Sequence, residues 1–80
     1  MVKVQINSCI NKVTSVGPIK QDKKGELYFD ITRVDNPWGE NGMIRSEHHV
    51  LVEGETKPIY PNTMEKMTQL HEIISKHLGD

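Results

Sequence analysis

The chain has 80 residues and a formal net charge of −1, with 35% hydrophobic and 26% charged residues. This size and composition are typical of one small globular domain, residues 1–80, and leave no room for a second domain. The near-neutral charge also argues against strong, sequence-independent binding to duplex DNA, because such affinity comes largely from phosphate neutralisation.

No apolar run approaches the length of a membrane-spanning helix, and the N-terminus alternates apolar and polar residues, unlike a signal peptide. We therefore expect a cytoplasmic protein with no membrane partner. Its one cysteine, Cys9, cannot form an internal disulfide. Because Ile10 follows it within an apolar strand pattern, we expect Cys9 to be a buried thiol.

A first strand is predicted over residues 2–16, where apolar and polar residues alternate with a period of two. The alternation slips at residues 8–10, and such a slip indicates a bulge or a strong bend. We therefore expect one long, bent strand. The following residues 21–25, with the sequence QDKKG, are typical of a hairpin connection.

A second strand is predicted over residues 26–34, which are rich in β-branched and aromatic types. Its alternation places Leu27, Phe29 and Ile31 on one side of the sheet, so Tyr28 lies on the other side. The turn-forming residues 35–42 then hold Trp38, the chain's only tryptophan. Trp38 is either a contact residue of a binding surface or folded back over the edge of the core.

A third strand is predicted over residues 43–53, in which even-numbered residues from Ile44 to Val52 share a face. Gly54 ends this strand. Two prolines, Pro58 and Pro61, then indicate a non-helical connection that holds Ile59 or Tyr60 against the core.

A C-terminal helix is predicted over residues 63–78. Asn62 can cap it, with Glu65 completing a capping box, and Gly79 is placed to end it. Apolar residues spaced by three and four form one stripe that should pack on the sheet. These residues are Met64, Met67, Leu70, Ile73, Ile74 and Leu78.

Together these elements predict an α+β fold, a small antiparallel sheet of at least three strands with one helix on it. Three strands leave two unpaired edges, which invite further pairing. The sheet is expected to be completed by short strands within residues 1–26, by a second copy of the chain, or by a partner's strand. We accordingly expect a homo-oligomer.

The chain resembles the OB-fold of bacterial single-stranded DNA-binding proteins and their primosomal relatives. Residues 11–20 (NKVTSVGPIK) with Gly25 resemble that family's first strand and turn, and residues 29–42 (FDITRVDNPWGENG) resemble its second strand and loop. The predicted helix resembles the one before the family's fourth strand. The family continues into two further strands, whereas this chain stops at Asp80. Either the fold is therefore a different three-stranded sheet with a helix, or the missing strands come from elsewhere.

The resemblance implies that bases stack on aromatic side chains while basic side chains follow the phosphate backbone. Tyr28 and Trp38 would be the stacking platforms. The basic side chains would be Lys12, Lys20, Lys23, Lys24 and Arg45. The lysines belong to a basic third of the chain, since residues 1–26 carry five lysines against two acids, a net +3. Lysines at a hairpin tip are also typical of a solvated turn or a protected edge.

The sequence carries no catalytic or metal signature, so we expect a protein that is not an enzyme and has no cofactor. His48 and His49 are adjacent and would point to opposite faces of a strand. His71 and His77 are six residues apart and do not share a helix face. No serine or cysteine nucleophile has a matching base, and Gly39 and Gly42 do not form a phosphate loop.

Two functions fit this pattern. The first is binding of single-stranded nucleic acid as a replication or recombination accessory. The second is a protein-interaction module, such as a regulator or inhibitor of phage or mobile-element type, that grips a partner protein with the Trp38 loop and an open sheet edge. The affinity of binding through phosphates should fall steeply as the salt concentration rises. The affinity of binding through an aromatic side chain in a protein pocket should depend on salt only modestly.

Overall fold

A computed structural model describes residues 1–34 and 41–79 and shows an α+β fold. An open, antiparallel five-stranded sheet is followed by one helix. The elements are β1 (Val2–Ile6), β2 (Cys9–Gln21), β3 (Leu27–Arg33), β4 (Asn41–Arg45), β5 (Val50–Val52) and α1 (Met64–Gly79). The strand order across the sheet is β4-β3-β2-β1-β5.

The predicted first strand over residues 2–16 is wrong, because β1 and β2 form a hairpin there. Val2 pairs with Val13 and Ile6 with Cys9. Asn7 has a φ of 56°, a left-handed conformation that asparagine tolerates better than most residues. Its side-chain oxygen accepts a hydrogen bond from the backbone N–H of His49 at 3.0 Å, which ties the turn to the start of β5. The slip in alternation therefore marked a chain reversal.

Bulges do occur in β2, further along than predicted. The pairing with β3 shifts once between Val13 and Ser15 and again between Val16 and Ile19, and each shift adds one residue to β2. The second bulge holds Gly17 and Pro18, and a bulge is a place where a proline can sit in a strand without costing a ladder hydrogen bond. Bulges increase local twist, so β2 can curve around the helix.

The predicted third strand over residues 43–53 is two strands that lie at opposite edges of the sheet. β4 pairs with β3, and β5 pairs with β1. Between them His48 folds back on Arg45. The Arg45 N–H donates to His48 Nδ1 at 3.0 Å, and the His48 N–H donates to the Arg45 carbonyl at 3.1 Å. The alternation of residue types continued through this turn and hid it.

The structure has two strands more than the three predicted. One comes from within residues 1–26, which was one of the three predicted ways to complete the sheet, and the other comes from the division of the predicted third strand. The outer edge of β5 is partly covered, because Val50 and Ile59 exchange two backbone hydrogen bonds of 3.0 and 2.7 Å. Ile59 also packs against the core, as predicted, whereas Tyr60 is exposed. Within the described ranges, β4 has a strand neighbour on one side only.

The helix is confirmed, with a different cap. Thr63, rather than Asn62, accepts a hydrogen bond through its Oγ1, from the N–H of Lys66 at 3.2 Å. Met67, Leu70 and Ile74 are fully buried, and Ile73 and Leu78 pack at the margin. Met64 was predicted to join this stripe but is 55% exposed, at the first residue of the helix.

The core lies between α1 and one face of the sheet. The strand residues that are buried there are Val2, Val4, Val13, Phe29, Ile31, Ile44, Val50 and Val52. His71 fixes the helix on this face: its Nε2 donates to the Gly17 carbonyl at 2.7 Å, and its ring meets Phe29 edge to face at 5.0 Å. The helix is thereby held at the second bulge of β2.

The prediction that Cys9 is a buried thiol is wrong, since Cys9 is exposed. It opens β2 directly after the hairpin turn. Cys9 lines a hollow together with Asn11, Arg33 and His48, and no helix residue lines this hollow. Ile10, on the other side of the strand, is 63% exposed.

Replacing Met67 by alanine should destabilise the fold by about 2–5 kcal/mol, the usual cost of truncating a buried methionine. The matched control is Met64→Ala, the same chemical change one turn earlier on the same helix, which should change stability by less than about 0.5 kcal/mol. Urea unfolding followed by circular dichroism measures both. Equal losses for the two variants would contradict the placement of the helix.

Candidate functional site

The sheet has a second face on which, among the described residues, no helix packs; we call it the uncovered face. Strand alternation and cross-strand pairing decide which residues belong to it. Its side chains are those of Lys3, Gln5, Ile10, Lys12, Lys20, Tyr28, Asp30, Thr32, Met43, Arg45 and Leu51. It carries four basic residues and one acid, Asp30, and its aliphatic side chains are Ile10, Met43 and Leu51.

Tyr28 lies between two cations on this face. It pairs with Lys20 of β2 on one side and with Arg45 of β4 on the other. The Arg45 guanidinium carbon lies 5.4 Å from the centre of the Tyr28 ring, within the range of a cation–π contact. The structure therefore brings together three of the site residues that the family resemblance implied.

Arg45 is largely committed to contacts within the protein. Its Nη1 lies 3.3 Å from Asp22 Oδ2 and 3.9 Å from Glu26 Oε2, and both carboxylates belong to the turn between β2 and β3. Arg45 thus ties edge strand β4 to that turn and holds one side of Tyr28. Its charge is already balanced, so it contributes less attraction for phosphate than the sequence suggested.

Lys20 forms a more labile pair. Its Nζ lies 3.2 Å from Asp30 Oδ2, and both side chains are nearly half exposed. An exposed pair of this kind contributes only about 0–1 kcal/mol and is screened by salt. A phosphate could therefore replace Asp30 as the partner of Lys20 at little cost.

The turn between β2 and β3 is organised by Asp22. Its Oδ1 accepts hydrogen bonds from the backbone N–H groups of Lys24 and Glu26, each at 2.9 Å. The Glu26 N–H is the main cause that holds the pKa of the Asp22 carboxyl below its usual value of 3.8, with Lys24 and Arg45 adding to it and partial burial opposing it. Gly25 completes the turn with a φ of 87°.

The remaining predicted site residues are dispersed. Lys23 and Lys24 are exposed at the tip of this turn, beyond the strand ends. Lys12 shares the uncovered face but lies eight residues from Lys20 along β2. Trp38 lies outside the described residues, so its predicted role as a stacking platform stays a prediction.

Sequence patterning missed the other half of the uncovered face. Lys3 and Lys12 are direct cross-strand partners, and so are Gln5 and Ile10. The signal that could have revealed this was Asn7, a residue suited to a tight turn between two alternating runs. Reading residues 2–16 as one strand separated Lys3 from Lys12 by nine residues, or about 30 Å of extended chain.

The four histidines do not form a site. His71 contacts Gly17 and Phe29, His49 stacks on Tyr60 with ring centres 4.6 Å apart, and His48 closes the turn after β4. In residues 1–34 and 41–79, no three histidine, cysteine or acidic side chains cluster closely enough to hold a metal ion. The helix in the described part of the chain is too short and too polar to cross a bilayer.

No protein-family model matches the chain, and no curated protein or solved structure shows significant similarity to it.

Asp22→Asn should lower stability near neutral pH, because it removes the negative charge that the Glu26 and Lys24 N–H groups bind and that Arg45 faces. A carboxyl whose pKa is lower in the folded protein than in the unfolded chain stabilises the fold at pH values above its unfolded-state pKa. This stabilisation is lost as the pH falls through its folded-state pKa. The difference in free energy of unfolding between wild type and variant should therefore shrink as the pH drops below 3.8, the usual pKa of this carboxyl. Urea unfolding at several pH values measures it, and a gap that persists at about pH 2 would contradict this role.

Proposed function

We propose that this protein is a non-enzymatic binding module whose uncovered sheet face binds single-stranded nucleic acid, as an accessory of replication or recombination. The observation that supports this most is the position of Tyr28, which lies between Lys20 and Arg45 on the uncovered face. An aromatic ring flanked by basic side chains is what base stacking with phosphate contact requires.

The arrangement favours a single strand over a duplex. A base can stack on a side chain only if it is free of its own neighbours, and the face of a sheet offers no helix or ribbon that could enter a major groove. In this account a base lies on Tyr28 while Lys20 exchanges Asp30 for a phosphate. Lys23 and Lys24 then meet the backbone where it leaves the sheet at the turn.

The OB-like character of the sheet, a cytoplasmic location and homo-oligomer formation are parts of the same proposal. The long, twice-bulged β2 supports an OB-like sheet, because a strand has to bend in this way before a small sheet can curl towards a barrel. The one-sided pairing of β4 supports an oligomer, since an unpaired strand edge can pair with a second copy.

A protein partner is the second candidate, and the edge strand β4 favours it. β4 carries Met43, which is 44% exposed, and in the sequence it follows residues 35–40, which include Trp38. A strand from a partner protein could add to this edge through main-chain hydrogen bonds. The module would then act as a small regulator or inhibitor of phage or mobile-element type.

Tyr28→Ala should weaken binding of a single-stranded oligonucleotide by about 1–3 kcal/mol, the usual loss when one stacking platform is removed. Tyr28→Phe should bind like the wild type, because the ring alone provides stacking. The control is Tyr60→Ala, which removes the chain's other tyrosine, an exposed ring stacked on His49 beyond β5. Fluorescence anisotropy of a labelled oligonucleotide measures all four proteins.

The same titration at several salt concentrations separates the two candidate functions. Each phosphate contact to a single strand should add about −0.7 to the slope of log K against log salt. Absence of oligonucleotide binding at low salt, with the protein folded, would refute the nucleic-acid proposal and leave the protein partner as the working candidate.

A further inference from the structure

The half of the uncovered face formed by β1, β2 and β5 contains a shallow groove of about 240 Å³. Its floor is a row across three strands, in which Gln5 of β1 pairs with Ile10 of β2 on one side and with Leu51 of β5 on the other. Ile10 is 63% exposed and Leu51 is half-buried. A flat apolar strip with one amide in its middle is thus open to solvent.

Lys3 lines this groove, and Lys12 lies beside it as its cross-strand partner. Lys3 and Lys12 are directly opposite each other in the β1–β2 pairing, an arrangement of like charges that destabilises a sheet. Neither ammonium group forms an ion pair with any residue in 1–34 or 41–79. An anion bound between them would relieve this repulsion.

Glu53 lies beside Lys3 but forms no ion pair with either lysine. The Glu53 carboxylate accepts a hydrogen bond from the backbone N–H of Lys3 at 3.3 Å, and the Glu53 N–H donates to the Lys3 carbonyl at 2.9 Å. Glu53 therefore binds the main chain and, with Glu55, forms the rim of the groove towards β5. The groove is basic on one side and acidic on the other.

This polarity defines the ligand that would fit. It has to carry a negative charge at the lysine side, a flat apolar body over Ile10 and Leu51, and hydrogen-bond donors towards the acidic rim. The Gln5 amide nitrogen already donates to the Asn7 carbonyl at 3.2 Å, which leaves its oxygen as an acceptor. A nucleotide whose base bears an exocyclic amino group, such as cytosine or adenine, has these three properties.

We propose that this groove is a second base-binding subsite, which holds an amino-bearing base on Ile10 and Leu51 and the adjoining phosphate between Lys3 and Lys12. The inference rests on the proposed function and extends it from Tyr28 to the other end of the sheet. Lys12 and Lys20 are eight residues apart on β2, or about 25 Å of strand. A single-stranded oligonucleotide of about four or more nucleotides would occupy both subsites.

The test compares binding of oligo(dC) and oligo(dT) of about ten nucleotides, a length within the usual site size of a small sheet module. Wild type should prefer oligo(dC). The double variant Lys3→Gln/Lys12→Gln should bind at least about threefold more weakly, and its salt slope should fall in magnitude by about 0.7 for each phosphate that it no longer binds. Ile10→Ala should weaken binding at least about threefold and reduce the preference for oligo(dC).

The control is Lys76→Gln, an exposed lysine on the helix, away from the uncovered face, which should leave affinity and slope unchanged. If Tyr28→Ala weakens binding while the Lys3, Lys12 and Ile10 variants bind like wild type, the groove proposal is overturned and the proposed function stands. If neither the wild type nor any variant binds either oligonucleotide, both the groove proposal and the proposed function are refuted. Circular dichroism of each variant confirms that it is folded.

Discussion

The structure depends on one constraint, which is that a single 16-residue helix has to bury the apolar surface of a five-stranded sheet. Only one face can be covered in this way. The buried hydrophobic side chains of the described residues accordingly lie on the helix itself or on the strand positions that face it. Strand alternation then places polar and charged residues on the other face. The candidate site follows from this division.

The helix keeps its place through packing and one polar contact. Met67, Leu70 and Ile74 supply the apolar contact, and His71 donates to the Gly17 carbonyl at the second bulge of β2. A carbonyl at a bulge is displaced from the regular ladder, so a donor from the helix can satisfy it. The same bulge adds a residue between Val16 and Ile19 and so keeps Lys20 beside Tyr28 on the uncovered face. The position of the helix and that of the candidate site are therefore linked.

Much of the fold was predictable because its strongest signals are local. Strand β3 and helix α1 have clear periods of two and of three to four, and both were predicted within one residue at each end. Two chain reversals were not recognised. At Asn7 a turn gives the same slip in alternation as a bulge, and between Arg45 and His49 the alternation continues through a turn. The predicted N-cap was wrong by one residue, since Asn62 and Thr63 are both residue types that cap helices well and the structure uses Thr63.

The candidate site was predicted in part for the same reason. Tyr28 and Lys20 flank a hairpin connection, so their proximity follows from local sequence. The contacts of Arg45 with Asp22 and Glu26, and the pairing of Lys3 with Lys12, depend on strand register between separate elements. Register is decided by turns and by the shared core, which no single segment shows. The lysine pair with the strongest electrostatic reason to bind an anion was therefore the one that pattern reading missed.

The most direct test of this account is a ¹⁵N-resolved NMR titration of the folded protein with a single-stranded oligonucleotide at low salt. Shift changes should concentrate on strand residues of the uncovered face, around Lys12, Lys20 and Tyr28, and should spare the solvent side of α1. Changes confined to the helix, or no changes at any oligonucleotide concentration, would contradict the claim that the uncovered face is the binding surface.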